Sequence, residues 1–142
     1  MGVQQTSVLD YEVREMPARR QDVLDQLVQL YRNWQPELVL TPAVSDVHQD
    51  HQVVTNEALR AFKFCAVMGY ELPWNNTRFQ PNYFERIDEQ LLQRKVNALK
   101  AYQSQQHRTY MQPEFIRSLA VVRGVQANVP MAEAFEVYKL IS

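Results

Sequence analysis

Two histidines and two aspartates lie within the short segment 46–51. His48 and His51 are three positions apart, with Asp50 between them and Asp46 just before. Histidine is the commonest metal ligand in proteins and the usual proton shuttle near neutral pH. The types and the spacing of these residues are therefore typical of a metal site or of an acid–base site.

The elements around this segment place it at the end of a strand. The apolar run 38–40 precedes it, and a helical pattern over residues 52–67, ended by Gly69, follows it. Open α/β sheets carry their chemistry at the carboxyl ends of their strands. The sequence therefore predicts that both histidines lie at such an end.

The rest of the chain alternates between strand and helix patterns. Residues 8–13 alternate apolar and polar side chains, as a half-buried strand does, and Pro17 opens a helix whose buried stripe ends at Trp34. The continuous apolar run 38–40 indicates a strand covered on both faces. Further along, the pattern predicts an extended segment at 70–74, a turn at 75–77, a strand at 83–87, a helix at 88–105 capped by Asp88, a helix at 113–124 and a strand at 133–141. The alternation predicts an α/β fold built on a layered, Rossmann-like and mostly parallel sheet.

Composition excludes several classes of protein. The chain has 142 residues, 46% of them hydrophobic, and a net charge of −1, which suits one domain and favours neither nucleic acid nor an anionic membrane. No apolar run spans a bilayer, residues 1–10 show no signal-peptide pattern, and three glycines leave no Gly-rich phosphate loop. The single Cys65 excludes an internal disulfide, and its apolar neighbours predict a buried, inert thiol. We therefore expect a cytoplasmic location.

The segment 46–51 alone has simpler interpretations. Asp46 could cap the following helix while both histidines lie in solvent, or Asp50 could merely pair with His48. Zinc catalysis normally needs three protein ligands and an open water position, which this segment does not supply. The residues by themselves leave a metal site, an acid–base site and a solvated loop open.

The wider sequence resembles the second conserved block of the PIG-L (LmbE-like) zinc-dependent N-deacetylases. The resemblance is carried by residues 36–42, by the His-Gln-Asp-His run at 48–51 and by residues 57–62. Weaker likeness covers residues 11–25, 69–75, 95–105, 123–124 and 132–136. It implies a hydrolase that uses zinc to remove an acetyl group from an N-acetylated sugar or glycoconjugate, often an N-acetylglucosamine derivative.

The resemblance also implies roles for individual side chains. His51 would be a zinc ligand, and His48 would polarise the scissile carbonyl, stabilise the oxyanion or protonate the leaving amine. Asp50 would orient a histidine by accepting its ring N–H. The implied substrate contacts are Tyr70, Trp74 as a platform for a sugar ring, and Glu133 at the end of its strand.

The family's other signature is absent from this sequence. That signature, an Ala-His-Pro-Asp-Asp-Glu-like motif, supplies zinc with a histidine and an aspartate and supplies a second aspartate as general base; here the only histidine outside the block is His107. The resemblance therefore covers the C-terminal portion of the fold, as one partial domain over residues 1–142 without the family's N-terminal strand–helix units. The zinc ligand set is then incomplete, and the sheet is expected to expose an apolar edge.

Other functions stay open beside the deacetylase. The chain could be an inactive fragment or an interaction subunit, or one half of a split enzyme that a second chain completes in trans. It could also bind a small molecule without catalysis. The expected apolar edge favours pairing with another copy or with a complementary chain, and no nucleic acid or membrane span is expected.

Overall fold

The computed structural model describes residues 2–141. They form two compact units. The histidine unit comprises residues 8–83 and 135–141, and the helical unit comprises residues 2–7 and 84–134. One partial domain over residues 1–142 stays a prediction.

Helices and strands alternate in the described chain as far as residue 70; beyond it, two strands and two helices are consecutive. The helices are α1 (Arg20–Trp34), α2 (Gln49–Ala61), α3 (Glu89–Leu99) and α4 (Pro113–Ala127). The strands are β1 (Leu38–Pro42), β2 (Ala66–Tyr70), β3 (Tyr83–Arg86) and β4 (Ala132–Lys139). Short 3₁₀ turns lie at Met16–Arg19, Gln103–Gln105 and Thr109–Met111. Within residues 2–141 no helix is both long and apolar enough to cross a membrane.

The strands form one sheet in the order β1-β2-β4-β3. β1 and β2 run parallel, with Leu38 opposite Ala66 and Pro42 opposite Tyr70. β4 runs antiparallel to β2, with Phe135 opposite Tyr70. The expected α/β fold is confirmed, and because β1 and β2 are parallel, the loops that follow both strands leave from the same end of the sheet.

An apolar cluster holds the helices of the histidine unit against its strands. The stripe predicted for α1 is confirmed at Val23 and Leu24, which are 2% and 9% exposed. Cys65 is buried, as predicted. The buried members of the cluster are Leu24, Ala58, Ala61, Phe62, Cys65 and Val67.

A buried carboxylate joins α1 to α2 beside this cluster. The side chain of Glu57 on α2 has no exposed surface. Its Oε1 accepts hydrogen bonds from Nε (2.8 Å) and Nη2 (2.5 Å) of Arg20 on α1, and its Oε2 lies 2.5 Å from Nη1 of Arg60. Charge on Glu57 is thus balanced from both helices, as a buried carboxylate requires.

In the helical unit, α3 and α4 begin where the sequence predicts. Asp88 caps α3 by accepting a hydrogen bond from the backbone N–H of Leu91 at 2.8 Å, and α4 begins at Pro113. α3 ends at Leu99, earlier than the predicted position 105. α4 ends at Ala127, and the residue that follows it, Asn128, has a left-handed conformation. The buried cluster of this unit contains Ile87, Leu92, Val96, Ile116, Ala120 and Met131.

The prediction of a helix over residues 52–67 is wrong for residues 62–67. α2 ends at Ala61, and the following apolar run enters β2. Successive residues Ala66, Val67 and Met68 are all buried, at 7%, 0% and 8% exposure. A strand buried on both faces shows no period of two, so periodicity alone cannot distinguish it from a buried helix. Gly69 therefore lies inside a strand and does not end a helix.

Two further expectations about local structure are wrong. Residues 8–13 form no strand within the described chain, and Val8 and Val13 are 89% and 74% exposed. An alternating pattern needs a neighbouring strand to satisfy its backbone groups, and the sheet has no strand there. Trp34 is 50% exposed rather than buried, because it is the last residue of α1 and the buried stripe ends before it.

β1 is covered on one face only, which also differs from the expectation. Leu38 and Leu40 are 47% and 51% exposed, whereas Val39 between them packs against the cluster of the histidine unit. Among the described strands β1 is an edge strand of the sheet. The apolar edge that the resemblance led us to expect is therefore present at β1.

Candidate functional site

Both histidines lie where β1 passes into α2. We call residues 43–51, from the end of β1 through the first turn of α2, the histidine loop. The loop is joined to the end of β2, because the backbone N–H of Ala43 donates to the carbonyl of Tyr70 at 3.1 Å. Asp46 also forms an isolated bridge with Asn76, in the turn after β2. The site therefore occupies the carboxyl end of the parallel pair.

Asp46 is the buried centre of the loop. Its Oδ1 accepts a hydrogen bond from the backbone N–H of His48, and its Oδ2 lies 2.7 Å from Nδ1 of His51. Because a carboxylate only accepts hydrogen bonds, the Nδ1 atom of His51 carries the hydrogen of this contact. The neutral ring of His51 then keeps its lone pair on Nε2, which is free to bind a metal or a proton.

His48 has the opposite tautomer. It is the N-cap residue of α2, and its Nδ1 accepts a hydrogen bond from the backbone N–H of Asp50 at 3.2 Å. A ring nitrogen that accepts is unprotonated, so the neutral ring carries its hydrogen on Nε2. His48 therefore presents a hydrogen-bond donor.

The rings of His48 and His51 are stacked. The ring centroids of His48 and His51 are 4.5 Å apart and the ring planes differ by 26°. Both side chains are partly exposed. The pair of rings thus offers one N–H group and one lone pair, which is the combination that proton transfer and oxyanion stabilisation use.

Asp50 makes different contacts from those that the resemblance implied. It does not hold a histidine ring: its Oδ2 accepts a hydrogen bond from the backbone N–H of Arg14 at 2.8 Å, and Asp46 makes the ring contact instead. Arg14 has a φ of +77°, a conformation that residues with a Cβ rarely adopt. Asp50 is 9% exposed, and its Oδ1 is buried without a hydrogen-bond partner among the described residues. Asp50 therefore anchors the segment before α1 and keeps one carboxylate oxygen unused.

The expected substrate contacts lie in different parts of the chain. Tyr70 ends β2, and Trp74, in the turn that follows, is 45% exposed. The side-chain amide of the adjacent Asn75 lies 3.4 Å from Oδ2 of Asp46, so the turn that carries Trp74 contacts the histidine loop. Glu133 lies in the helical unit and pairs with Lys95 at 2.5 Å. The substrate contacts of these side chains stay predictions.

Sequence reasoning missed two residues of β4 that are connected to the loop, Tyr138 directly and Glu136 through Tyr138. The hydroxyl of Tyr138 accepts a hydrogen bond from the backbone N–H of Val44 (2.8 Å) and donates one to Oε2 of Glu136 (2.7 Å). Both residues line an open cavity of about 360 Å³, together with Ser45, Arg78, Gln80 and Asn82. Their spacing was the available signal, because residues two apart on a strand lie on the same face.

A zinc site is not complete in the described chain. Within residues 2–141 no group of three or more histidine, cysteine, aspartate or glutamate side chains could hold a metal ion. Catalytic zinc is normally bound by three protein ligands. His51 offers one oriented lone pair, so the described side chains do not fit a resident zinc ion on their own.

Comparisons with known proteins identify what this arrangement is similar to. The family model PIG-L: GlcNAc-PI de-N-acetylase matches residues 1–63, which include the histidine loop. The uncharacterized deacetylase YaiS of Escherichia coli (strain K12) is 28% identical over 110 residues, which cover 73% of this chain and 60% of YaiS. This chain therefore spans less than two thirds of that curated relative.

Solved structures share the fold. The N,N'-diacetylchitobiose deacetylase from Pyrococcus horikoshii matches with a TM-score of 0.76 and 23% identity, over 96% of this chain and 58% of that one. GalB, the 4-carboxy-2-hydroxymuconate hydratase from Pseudomonas putida KT2440, matches with a TM-score of 0.66 and 24% identity, over 86% and 60%. Deacetylases and a hydratase thus share this architecture, and fold alone does not decide the reaction. The family match over residues 1–63 and the deacetylase relative show that the histidine-bearing part of this chain is similar to the PIG-L (LmbE-like) deacetylases.

Proposed function

We propose that this chain is the histidine-bearing part of a zinc-dependent N-deacetylase. Its substrate would be an N-acetylated sugar or glycoconjugate, from which the enzyme removes the acetyl group. The observation that carries the proposal is the stacked pair of rings, in which His48 offers an N–H and His51 offers a lone pair. The deacetylase relatives support the reaction class.

The donor on His48 suits the charge changes of amide hydrolysis. Water adds to the carbonyl carbon, the C–N bond breaks, and acetate and an amine leave. Negative charge develops on the carbonyl oxygen before the nitrogen takes up a proton. The Nε2–H group of His48 would stabilise that oxygen or deliver its proton to the nitrogen.

The lone pair on His51 suits a metal ligand. Histidine ligands usually donate their second ring N–H to a carboxylate or a carbonyl, which fixes the tautomer and the ring direction. Asp46 holds Nδ1 of His51 in this way at 2.7 Å. The remaining ligands and the general base would come from outside the described residues, so zinc dependence is proposed for the completed enzyme only.

The edge strand β1 is where we propose that the completing segment binds. The chain spans 60% of its curated relative, so about two fifths of such a protein lie outside the match. The exposed leucines Leu38 and Leu40 offer apolar surface on β1, and its outer edge offers backbone groups for a further strand. A complementary chain or a further segment of the same protein would satisfy both; pairing of two copies is the alternative.

Substrate contacts of the proposed enzyme centre on the turn after β2. Trp74 is 45% exposed and its turn contacts the loop through Asn75, so its ring suits a sugar face beside the acetamide. Tyr70 lies at the start of the same turn. A direct substrate contact of Glu133 has weaker support, because its carboxylate already pairs with Lys95. The predicted cytoplasmic location also belongs to this proposal.

The test uses the protein isolated from its natural source with any chain that copurifies, and the same assembly produced with substitutions. Acetate release from N-acetylglucosamine and N,N'-diacetylchitobiose is measured beside bound zinc per chain. We expect His51→Ala to lose zinc and activity together. We expect His48→Ala to retain zinc and lose roughly 100- to 1,000-fold in kcat, as removal of an oxyanion donor does. His107→Ala is the control: it removes the histidine outside the loop and should change neither the bound zinc nor the acetate release.

Two outcomes would contradict the proposal. An assembly with neither bound zinc nor acetate release would support an inactive interaction subunit, in agreement with the incomplete ligand set. Zinc binding that depends on His51, combined with hydration of an unsaturated acid and no acetate release, would contradict an acetamide as the substrate.

A further inference from the structure

The hydroxyl of Tyr138 and the carboxylate of Glu136 connect β4 to the histidine loop. We infer that these two side chains are positioning residues, which fix where the loop leaves the sheet and thereby set the directions of the rings of His48 and His51. The catalytic consequence rests on the proposed function, whereas the positioning itself does not.

The connection is a continuous chain of hydrogen bonds. The backbone N–H of Val44 donates to the hydroxyl of Tyr138, which donates to Oε2 of Glu136. The other carboxylate oxygen of Glu136 accepts a hydrogen bond from the backbone N–H of Gln80 at 2.7 Å. Glu136 is 7% exposed, so the carboxylate end of this chain of hydrogen bonds is buried, whereas the bond between Val44 and Tyr138 lies at the surface.

Tyr138 acts at the point where the sheet ladder ends. Ala43 is still bonded to β2, through the carbonyl of Tyr70, and the next backbone N–H, that of Val44, goes to Tyr138. The N–H of Asp46 then returns to the carbonyl of Ala43 at 3.0 Å and closes a turn. Tyr138 therefore fixes Val44, which lies two residues before Asp46. The carboxylate of Asp46 bonds the backbone of His48 and the ring of His51.

Gly69 makes the contact sterically feasible. Glycine weakens a strand interior and often marks the close approach of another group. A Cβ at position 69 would lie 2.2 Å from the hydroxyl oxygen of Tyr138 and 2.9 Å from Cα of Ala43. The absence of a side chain in the middle of β2 is thus explained by the tyrosine that crosses it.

The ionisation of the hydroxyl is compatible with this role. Burial raises the pKa of Tyr138 well above its usual value, and the hydrogen bond to Glu136 acts in the same direction. The hydroxyl therefore stays protonated at neutral pH. It can donate to Glu136 and accept from Val44 at the same time.

The test measures the loop itself. Tyr138→Phe removes one oxygen atom; we expect hydrogen exchange at the Val44 amide to speed up about fivefold to tenfold and the ring ¹⁵N signals of His48 and His51 to shift. Gly69→Ala, which keeps the hydroxyl but displaces it, should reproduce the shifts. Glu136→Gln should give a smaller change, since its amide retains one acceptor oxygen. Tyr31→Phe is the matched control. Tyr31 on α1 packs, like Tyr138, against the apolar cluster of the histidine unit, and its substitution should leave the ring signals unchanged.

Activity measurements distinguish the positioning role from the proposed deacetylase function. In the completed enzyme we expect Tyr138→Phe to lower kcat roughly tenfold while KM stays within about twofold, because orientation changes and substrate contacts do not. Shifted rings in an assembly without any acetate release would uphold the positioning role and contradict the deacetylase. The positioning role would be overturned if Tyr138→Phe and Glu136→Gln changed neither the ring ¹⁵N signals nor the exchange rate of the Val44 amide. A fall in melting temperature alone would have the same meaning.

Discussion

Nδ1 of His51 lies 2.7 Å from Oδ2 of Asp46, a carboxylate whose side chain has no exposed surface. The other oxygen of Asp46 is held by the backbone N–H of His48. A buried group with both oxygens bonded cannot turn towards solvent, so it fixes both the ring direction and the tautomer of His51. The ring is therefore directed by a residue five positions earlier and not by its neighbour Asp50.

Replacement of Asp46 tests this assignment directly. We expect Asp46→Asn to lower zinc affinity or kcat/KM of the completed enzyme by roughly 10- to 100-fold, as loss of a carboxylate behind a histidine ligand does. The ring ¹⁵N signals of His51 should lose their single-tautomer pattern. Asp25→Asn, on the exposed face of α1, is the control. A larger effect on His51 from Asp50→Asn than from Asp46→Asn would support the assignment to Asp50 implied by family resemblance.

The elements that carry the histidines could be predicted because each has a local signal. The apolar run of β1, the polar loop and the helical pattern of α2 follow one another within about one βα unit. The Asp88 cap and the Pro113 helix start are local signals of the same kind. The hydrophobic pattern was less informative at β2. The run 65–68 is apolar throughout, which is equally compatible with a buried helix and a buried strand.

The orienting role of Asp46 and the contribution of β4 could not be predicted. Spacing places both Asp46 and Asp50 within reach of His51, and only the turn closed onto Ala43 decides between them. Val44 and Tyr138 are 94 positions apart and meet because β4 pairs with β2. Strand pairing over such a separation depends on the whole sheet, so no local pattern indicates it.

The buried Glu57 gives a stability prediction that is not additive. Arg20→Ala or Arg60→Ala alone should each cost up to about 1 kcal/mol, because each arginine is half exposed and the other still balances the carboxylate. Together they leave a buried carboxylate unpaired, and the loss should reach about 3 kcal/mol or more. Urea unfolding measures all three variants. Arg32→Ala, in the last turn of α1, is the control, and a double variant equal to the sum of the singles would show that water replaces the arginines.

Cys65 reports on unfolding and on alkaline pH. It is 4% exposed, and burial raises the pKa of its thiol. The folded state therefore favours the neutral thiol, so this stabilisation is complete below the usual thiol pKa of about 8.5 and is lost as pH rises through the higher folded pKa. Iodoacetamide should label the native protein slowly at pH 8 and rapidly once urea unfolds it. The stability lost above pH 8 should be smaller in Cys65→Ala, and native labelling as fast as that of a free thiol would contradict the buried position.

The exposed face of β1 predicts association through this edge. Leu38 and Leu40 point the same way on an edge strand and are about half exposed, so an added segment would remove apolar surface from water and complete the hydrogen bonding of the strand. We expect Leu38→Lys with Leu40→Lys to abolish binding of the complementary chain, or self-association, in light scattering, while the free chain keeps its melting temperature. Val8→Lys, at a position that is 89% exposed outside the sheet, controls for added charge. If the double variant still binds the partner as the native chain does, β1 is not the contact; if the native chain is a stable monomer with zinc and activity, the site needs no completing segment.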